Sequence, residues 1–287
     1  MKHVFITGTS TGIGYALARD LIKKGYSVTG TVRKQEDATR LSNDLGPSYT
    51  PLLCDVTREE DIQQAFIHVK DTLNNQPLTA LINNAGIGYG GPLLHQPIEE
   101  IRRIFEVNLF GLLRVTQVFY PLLLPKSTSE QPGRIINIGS VAGKIGIPFL
   151  GGYVASKHAL EGLSDSLRRE LLLYGIPVIL IEPGDTRTAI WDKGEQQDLN
   201  QYKDTDYLPV LKRFKQLFVS QGRGGMPVEK VTNIIISALE SNHPKTRYAI
   251  PSKIVSGWLI PRYFPDQWVD KIMDRVIGIT SKQNESM

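Results

Sequence analysis

Residues 3–24, HVFITGTSTGIGYALARDLIKK, run a short apolar, largely β-branched segment straight into three glycines and then into an amphipathic repeat. A strand that feeds a glycine turn and then a helix restricts the fold severely, because the same alternation continues down the chain. Strands are expected at His3–Thr7, Ser27–Val32, Tyr49–Cys54, Leu78–Ile82, Arg134–Ile138, Pro177–Ile181 and Arg247–Ile250. Helices are expected near Ile13–Lys24, Glu36–Asp44, Glu59–Asn74, Ile98–Leu124, Gly152–Tyr174 and Val228–Ser241. Strands apolar on both faces, each followed by a helix, predict a parallel sheet covered on both sides, an α/β doubly wound single domain.

The first helix carries Leu17, Ala18, Leu21 and Ile22 on one stripe, with Arg19, Asp20, Lys23 and Lys24 opposite, and Gly25 at its C-terminal end. Leu124–Gly133 reads as a surface loop. Two stretches break the rhythm. Residues 189–225 hold Trp191, Tyr202, Tyr207, Phe214 and Phe218, and residues 251–287 form a C-terminal extension with Trp258, Tyr263, Phe264 and Trp268. Residues 1–250 are therefore read as the folded unit and 251–287 as an addition to it.

Hydrophobic content of 41% and charged content of 22% are those of an ordinary globular protein. The net charge of +4 is spread over helix faces without a dense basic block, which argues against a nucleic-acid partner. Cys54 is the sole cysteine, so no internal disulfide forms and a reducing, cytoplasmic setting is expected. MKHVFITG lacks the pattern of a signal peptide, and no stretch has the roughly 18 apolar residues of a membrane span. The five histidines are not spaced for metal binding, so no metal site is expected; His68 and His243 read as surface residues, and Cys54 as packing.

Gly8, Gly12 and Gly14 fall between a strand and a helix N-terminus, whose open N–H groups and positive dipole end suit a pyrophosphate. A glycine-rich turn without a ligand is the plain structural alternative. In a dinucleotide crevice, the end of the second strand reads the adenosine ribose. Here it is Thr31-Val32-Arg33-Lys34, with no carboxylate before Glu36. Arg33, with Lys34, would meet a 2′-phosphate, which points to NADP(H); an ordinary solvated strand end is the alternative. Asp55 after the third strand is a candidate adenine contact, and Asn83-Asn84-Ala85-Gly86 follows the fourth, where Asn84 reads more as a strand cap than as a ligand contact.

Tyr153 and Lys157 are four apart at a helix start and share a face. A neighbouring ammonium would lower the phenol toward a working range for proton transfer. Ser140, at a strand end, is placed to hydrogen-bond a substrate oxygen, and Asn108 is a polar intrusion among Ile104, Val107, Leu109 and Leu112. Singly, each has a structural explanation: a surface pair, a cap, a solvent-facing amide.

Together, TGTSTGIG at Thr7–Gly14, NNAG at Asn83–Gly86, Asn108 within VNLFG, the IGS ending at Ser140, YVASK at Tyr153–Lys157 and PGDTRT at Pro183–Thr188 resemble the short-chain dehydrogenase/reductase family, from residue 4 to about 190. The resemblance implies a Rossmann fold and a tetrad of Asn108, Ser140, Tyr153 and Lys157. In that scheme Tyr153 is the acid or base and Ser140 positions the carbonyl. Lys157 binds the nicotinamide ribose and lowers the tyrosine, and Asn108 supports a water-linked proton relay. It further implies a cofactor site of Gly8, Ser10, Thr11, Gly12, Ile13, Gly14, Arg33, Lys34, Asp55, Val56, Asn84, Ala85, Gly86, Tyr153, Lys157, Pro183, Gly184, Thr186 and Thr188. The second basic residue that some NADP(H)-preferring members carry inside the glycine loop is missing.

Residues 189–225 fall where the family places a substrate loop. Their aromatics would line an apolar pocket for a steroid-like, retinoid-like or other lipophilic alcohol or ketone, or simply pack on the core. Core packing is also the favoured expectation for Trp258 to Trp268, over contact with a membrane surface. A small or acyl-thioester ketone is the alternative substrate, and a non-catalytic NADP(H) sensor the alternative class. The family implies a homodimer or homotetramer built on long helices such as Gly152–Tyr174.

Overall fold

The computed structural model describes residues 2–127 and 131–280. The end of the C-terminal extension and three residues of the 124–133 loop lie outside them. Seven parallel strands form one sheet in the order β3-β2-β1-β4-β5-β6-β7. They are β1 His3–Ile6, β2 Ser27–Val32, β3 Tyr49–Leu53, β4 Ala80–Asn83, β5 Arg134–Ile138, β6 Val178–Pro183 and β7 Arg247–Ile250. The order reverses direction between β1 and β4, which opens a crevice beyond their carboxyl ends.

The helices of the repeat are α1 Gly12–Lys23, α2 Gln35–Leu45, α3 Glu59–Leu73, α4 Ile98–Phe105, α5 Leu112–Leu123 and α6 Gly151–Glu170. After β6 come α7 Ile190–Glu195, α8 Leu208–Arg223 and α9 Val228–Glu240, and after β7 come α10 Ile260–Tyr263 and α11 Asp266–Ile277. Strand residues alternate between two apolar layers. Val4, Ile6, Ile82 and Ile136 join Leu17 and Leu21 of α1 and Val231 and Ile235 of α9. Phe5, Leu81, Ile135 and Val178 join Val69 of α3 and Phe119 of α5. Phe5 stacks on Phe119 with ring centroids 4.2 Å apart, and Phe66 meets the same ring edge-on.

Three elements differ from the sequence expectation. The single helix expected over 98–124 is wound as a π-helix at Glu106–Gly111, between α4 and α5. Residues 189–225 are mostly helical, because α8 buries Leu211 and Phe214 on one face. The aromatics after residue 251 do not all pack inward: Trp258 is buried, whereas Tyr263, Phe264 and Trp268 are exposed. That extension meets the rest through Met273 and Ile277 of α11, which pack with α8. It is held also by Arg213 donating to the Gly278 carbonyl at 2.9 Å. Among the described residues no helix is long and apolar enough to cross a membrane.

His3 in β1 is buried and pairs with Thr29 Oγ1 at 2.9 Å. Burial, with His68 adding to it, holds its imidazole down at about 4. A base depressed in the folded state stabilises the fold above its ordinary pKa of about 6.5 and loses that contribution as pH falls through 4. Urea unfolding should therefore show the wild type losing about 2 kcal/mol more than His3→Gln between pH 7 and 4.5. Equal losses would mean that His3 is not a neutral buried histidine.

Candidate active site

The floor of the crevice is the turn between β1 and α1. Gly8 and Gly12 have φ of +71° and +65°, a region that a Cβ disfavours. A Cβ on Gly14 would sit 2.3 Å from the Gly8 carbonyl, and one on Gly8 would sit 3.0 Å from Ala85 Cα. The turn is held from two sides. Thr31 accepts from Gly8 N–H through Oγ1 at 2.9 Å and from Thr9 N–H through its carbonyl at 2.9 Å. Asn84 donates to the Thr7 and Gly8 carbonyls at 2.9 and 2.8 Å, the structural role its position suggested. Gly30 leaves room beneath for Thr9 Oγ1 to meet the Tyr49 hydroxyl at 2.7 Å.

Thr11 precedes α1 with extended backbone and makes no side-chain cap. The first N–H groups of α1 are thus left for a ligand, and the cradle fits a dinucleotide pyrophosphate. Ile13 is part-buried against the core, and Ser10 offers its carbonyl to Arg40 at 2.7 Å. Arg33 and Lys34 are exposed at the end of β2. The field of Arg33 reaches Asp55, whose carboxyl lies below its usual value because its hydrogen bonds from Thr57 outweigh the opposing effect of burial. Asp55 Oδ1 accepts from the Thr57 N–H and hydroxyl at 2.9 and 2.7 Å. Val56 is buried beneath Gly111. From the far side, Gly184 N–H donates to the Ile250 carbonyl and Thr186 Oγ1 to the Gly184 carbonyl, both at 2.9 Å. Thr188 overhangs Gly12, whose Cβ would lie 3.6 Å from it.

Beside this cradle the structure brings Asn108, Ser140, Tyr153 and Lys157 together. Ser140 follows β5, accepts from Ala142 N–H at 3.1 Å and donates its hydroxyl to the Pro183 carbonyl at 3.5 Å. Ser140 stands near enough to the Tyr153 phenol to act on it. Lys157 Nζ donates to the Ile138 carbonyl at 2.9 Å and lies 5.8 Å from the centre of the Tyr153 ring. Asn108 sits in the π-wound turn, where its amide accepts from Ile87 N–H at 2.8 Å and donates to the Ile87 carbonyl at 2.9 Å and to Ser156 Oγ at 3.0 Å. Gly86 and Gly88 border the group: a Cβ on Gly86 would reach Asn108 at 3.4 Å, and one on Gly88 would reach Tyr153 at 3.1 Å.

The electrostatics depart from expectation at Tyr153. Its phenol is raised above its ordinary value of 10, because burial outweighs the lowering effect of nearby Ser140. Lys157 is lowered to about 8 by burial. Its ammonium turns to the Ile138 carbonyl, so in this state desolvation dominates both groups.

Above the tetrad, residues 189–225 close over the Gly86–Gly91 strip. Gln197 and Gly90 exchange two hydrogen bonds, Gly90 N–H to Gln197 Oε1 at 3.3 Å and Gln197 Nε2 to the Gly90 carbonyl at 2.6 Å. Tyr202 is fully buried and Phe214 packs on Phe149, so these aromatics pack inward. Trp191 donates to the Thr186 carbonyl at 2.7 Å. Sequence reasoning missed this clamp, and missed the buried Glu161 and Glu182; a glutamine among polar neighbours carries no signal. The buried amide chain of Asn83, Asn137 and Ser164 was visible only as a polar residue inside the apolar run RIINIG.

The family model for short chain dehydrogenases matches residues 2–199. The chain is 37% identical over 272 residues to an NADPH-dependent 3-dehydrocapnine reductase of Ornithobacterium rhinotracheale, covering 95% of this chain and 96% of that protein. It is 32% identical to retinol dehydrogenase 16 of Mus musculus, across 95% of this chain and 87% of that one. A short-chain dehydrogenase from Streptomyces avermitilis superposes with a TM-score of 0.73 at 25% identity, over 96% of this chain and 94% of that one. A short chain dehydrogenase/reductase from Burkholderia phymatum in complex with NAD gives 0.77 at 22% identity, over 94% and 95%. With the family match spanning the glycine cradle and the tetrad, and a relative alike over nearly its whole length, this chain belongs to the short-chain dehydrogenase/reductase family of oxidoreductases.

Proposed function

We propose that the enzyme moves a hydride between NADP(H) and a carbonyl or secondary alcohol of a bulky lipophilic molecule. The observation that carries this reading is the convergence of Ser140, Tyr153 and Lys157 next to the uncapped glycine cradle. When bound, the nicotinamide supplies or accepts the hydride. Ser140 holds the substrate oxygen by a hydrogen bond, and Tyr153 gives that oxygen its proton during reduction or takes it during oxidation. Lys157 holds the nicotinamide ribose and, while charged, favours the ionised phenol. Asn108, fixed to both backbone groups of Ile87, keeps the π-wound turn in place for a relay of protons through water.

Arg33 and Lys34, with no carboxylate before Glu36, support the phosphorylated cofactor, and the relative named as NADPH-dependent agrees. The relative named as a retinol dehydrogenase supports a lipophilic substrate. Exposed Phe110 and Leu172–Tyr174 offer apolar surface for a homodimer or homotetramer. A reducing, cytoplasmic setting is part of the same reading.

Tyr153→Phe should lower kcat for ketone reduction by about 10³-fold while NADPH affinity by fluorescence titration changes less than about threefold. Full turnover in the variant would remove Tyr153 from the chemistry. Arg33→Ala should weaken NADPH by about tenfold or more and leave NADH binding unchanged, since a single charge-assisted bond to phosphate is lost. Equal losses for both cofactors would refute the phosphate assignment. Because Lys157 loses its proton near 8, the reductive kcat/KM should fall as pH rises through that value. A profile flat from pH 7 to 9.5 would exclude it.

A further inference from the structure

Behind the tetrad lies a buried charged cluster that the proposed chemistry does not use. Glu161 stands one helical turn beyond Lys157 on α6, and Glu182 is the residue before Pro183 on β6; both are buried. Lys144 Nζ, in the turn after Ser140, lies 2.8 Å from Glu161 Oε2. Arg247 of β7 donates from Nε to Glu161 Oε2 at 2.9 Å, and its Nη2 lies 3.2 Å from Asp165 Oδ1. Arg168 also reaches Asp165, at 3.4 Å. Arg247 Nε comes within 3.1 Å of Glu182 Oε1 without bonding alignment, and Glu161 Oε1 and Glu182 Oε1 are left buried with no N–H donor. Arg247 Nε is thus close to both carboxyl groups, and each keeps one buried oxygen that no donor meets.

Each partner also borders a contact of Ser140. Gly143, which packs on Glu161 so closely that a Cβ would lie 3.1 Å from Oε1, closes the turn by donating to the Ser140 carbonyl at 2.9 Å. Glu182 is adjacent to Pro183, whose carbonyl is 3.5 Å from Ser140 Oγ. We infer that Glu161 and Glu182 are a proton-sharing positioning pair that, with Lys144 and Arg247, locks the Ser140 turn and the end of β6 onto the helix bearing Tyr153 and Lys157.

The pair touches no reacting atom; its effect on turnover rests on the function proposed above, while the lock itself does not. Burial, with Glu161 beside it, pushes the Glu182 carboxyl up to about 7. A carboxyl raised in the folded state keeps its proton below that pH and loses it as pH rises through 7, leaving two anions between Lys144 and Arg247.

Amide hydrogen exchange at Ala142 and Gly143, corrected for intrinsic rate, tests the lock in the substrate-free protein. Protection in the wild type should fall about tenfold between pH 6 and 8, and should not change with pH in Glu182→Gln, which keeps a hydrogen bond without titrating. Lys144→Met should show the lower protection at both pH values. If Glu182→Gln fails to fold, Glu161→Gln carries the same expectation. In reductive turnover, kcat/KM should show a step near pH 7 that Glu182→Gln removes while the step near 8 remains. Protection independent of pH in the wild type, or a step retained in the glutamine variant, would overturn the lock. A step in protection without one in kcat/KM would overturn the positioning role. Absence of turnover with every ketone, with the exchange result intact, would overturn only the proposed function.

Discussion

Parallel pairing is the constraint from which the rest of the molecule follows. When seven strands run the same way, every strand delivers its next residue to the same rim. The glycine turn, Asn84, Ser140 and the Pro183–Thr188 segment therefore meet without any long-range design of their loops. The price is that the strands need cover on both faces, which is why Val4 and Ile6 face one apolar layer and Phe5 the other. The glycine turn exploits that rigidity: its carbonyls and N–H groups are fixed by Asn84 and Thr31 from the neighbouring strands.

What could be read from the chain alone was whatever depends on local spacing. Strand–helix alternation, the glycine turn before α1 and the four-residue step from Tyr153 to Lys157 are local, and the structure contains each of them. The π-wound turn at Glu106–Gly111 was not readable, because one extra residue in a helical turn leaves the apolar pattern on either side intact. Its cause is distant: Asn108 pairs with the Ile87 backbone, and Gly111 admits Val56. The exposure of Tyr263 and Trp268 was also hidden, since an aromatic residue does not carry in its identity the surface that covers it. Glu161 and Glu182 look like ordinary surface acids until Arg247, 86 residues beyond Glu161, is brought between them.

Buried polar groups recur along one side of the sheet. Asn83 donates to Asn137 at 2.9 Å, Asn137 donates to Ser164 at 3.0 Å, and Lys157 donates to Ile138 at 2.9 Å, all ahead of the Glu161 and Glu182 pair. Each of these donors would destabilise the core if unpartnered, and each finds its acceptor on β5 or α6. The helix that bears Tyr153 is thus registered against the strands by directional bonds as well as by apolar packing, which could slide. Ser140 depends on that register, because Tyr153 and Lys157 stand on the facing helix.

The electrostatics of Tyr153 and Lys157 follow from the same enclosure. Burial disfavours charge on either group, so it raises the phenol and lowers the ammonium. The two shifts act together to keep the proton on Tyr153. A protonated phenol is a hydrogen-bond donor, so enclosure favours the form of Tyr153 that can give a proton. Ionising the phenol would bury a negative charge that Ser140 offsets only in part. Lys157 cannot complete the compensation while its ammonium is turned to the Ile138 carbonyl. Ionising Tyr153 then depends on positive charge brought into the crevice, which couples the protonation state of the acid to what occupies the cradle beside it.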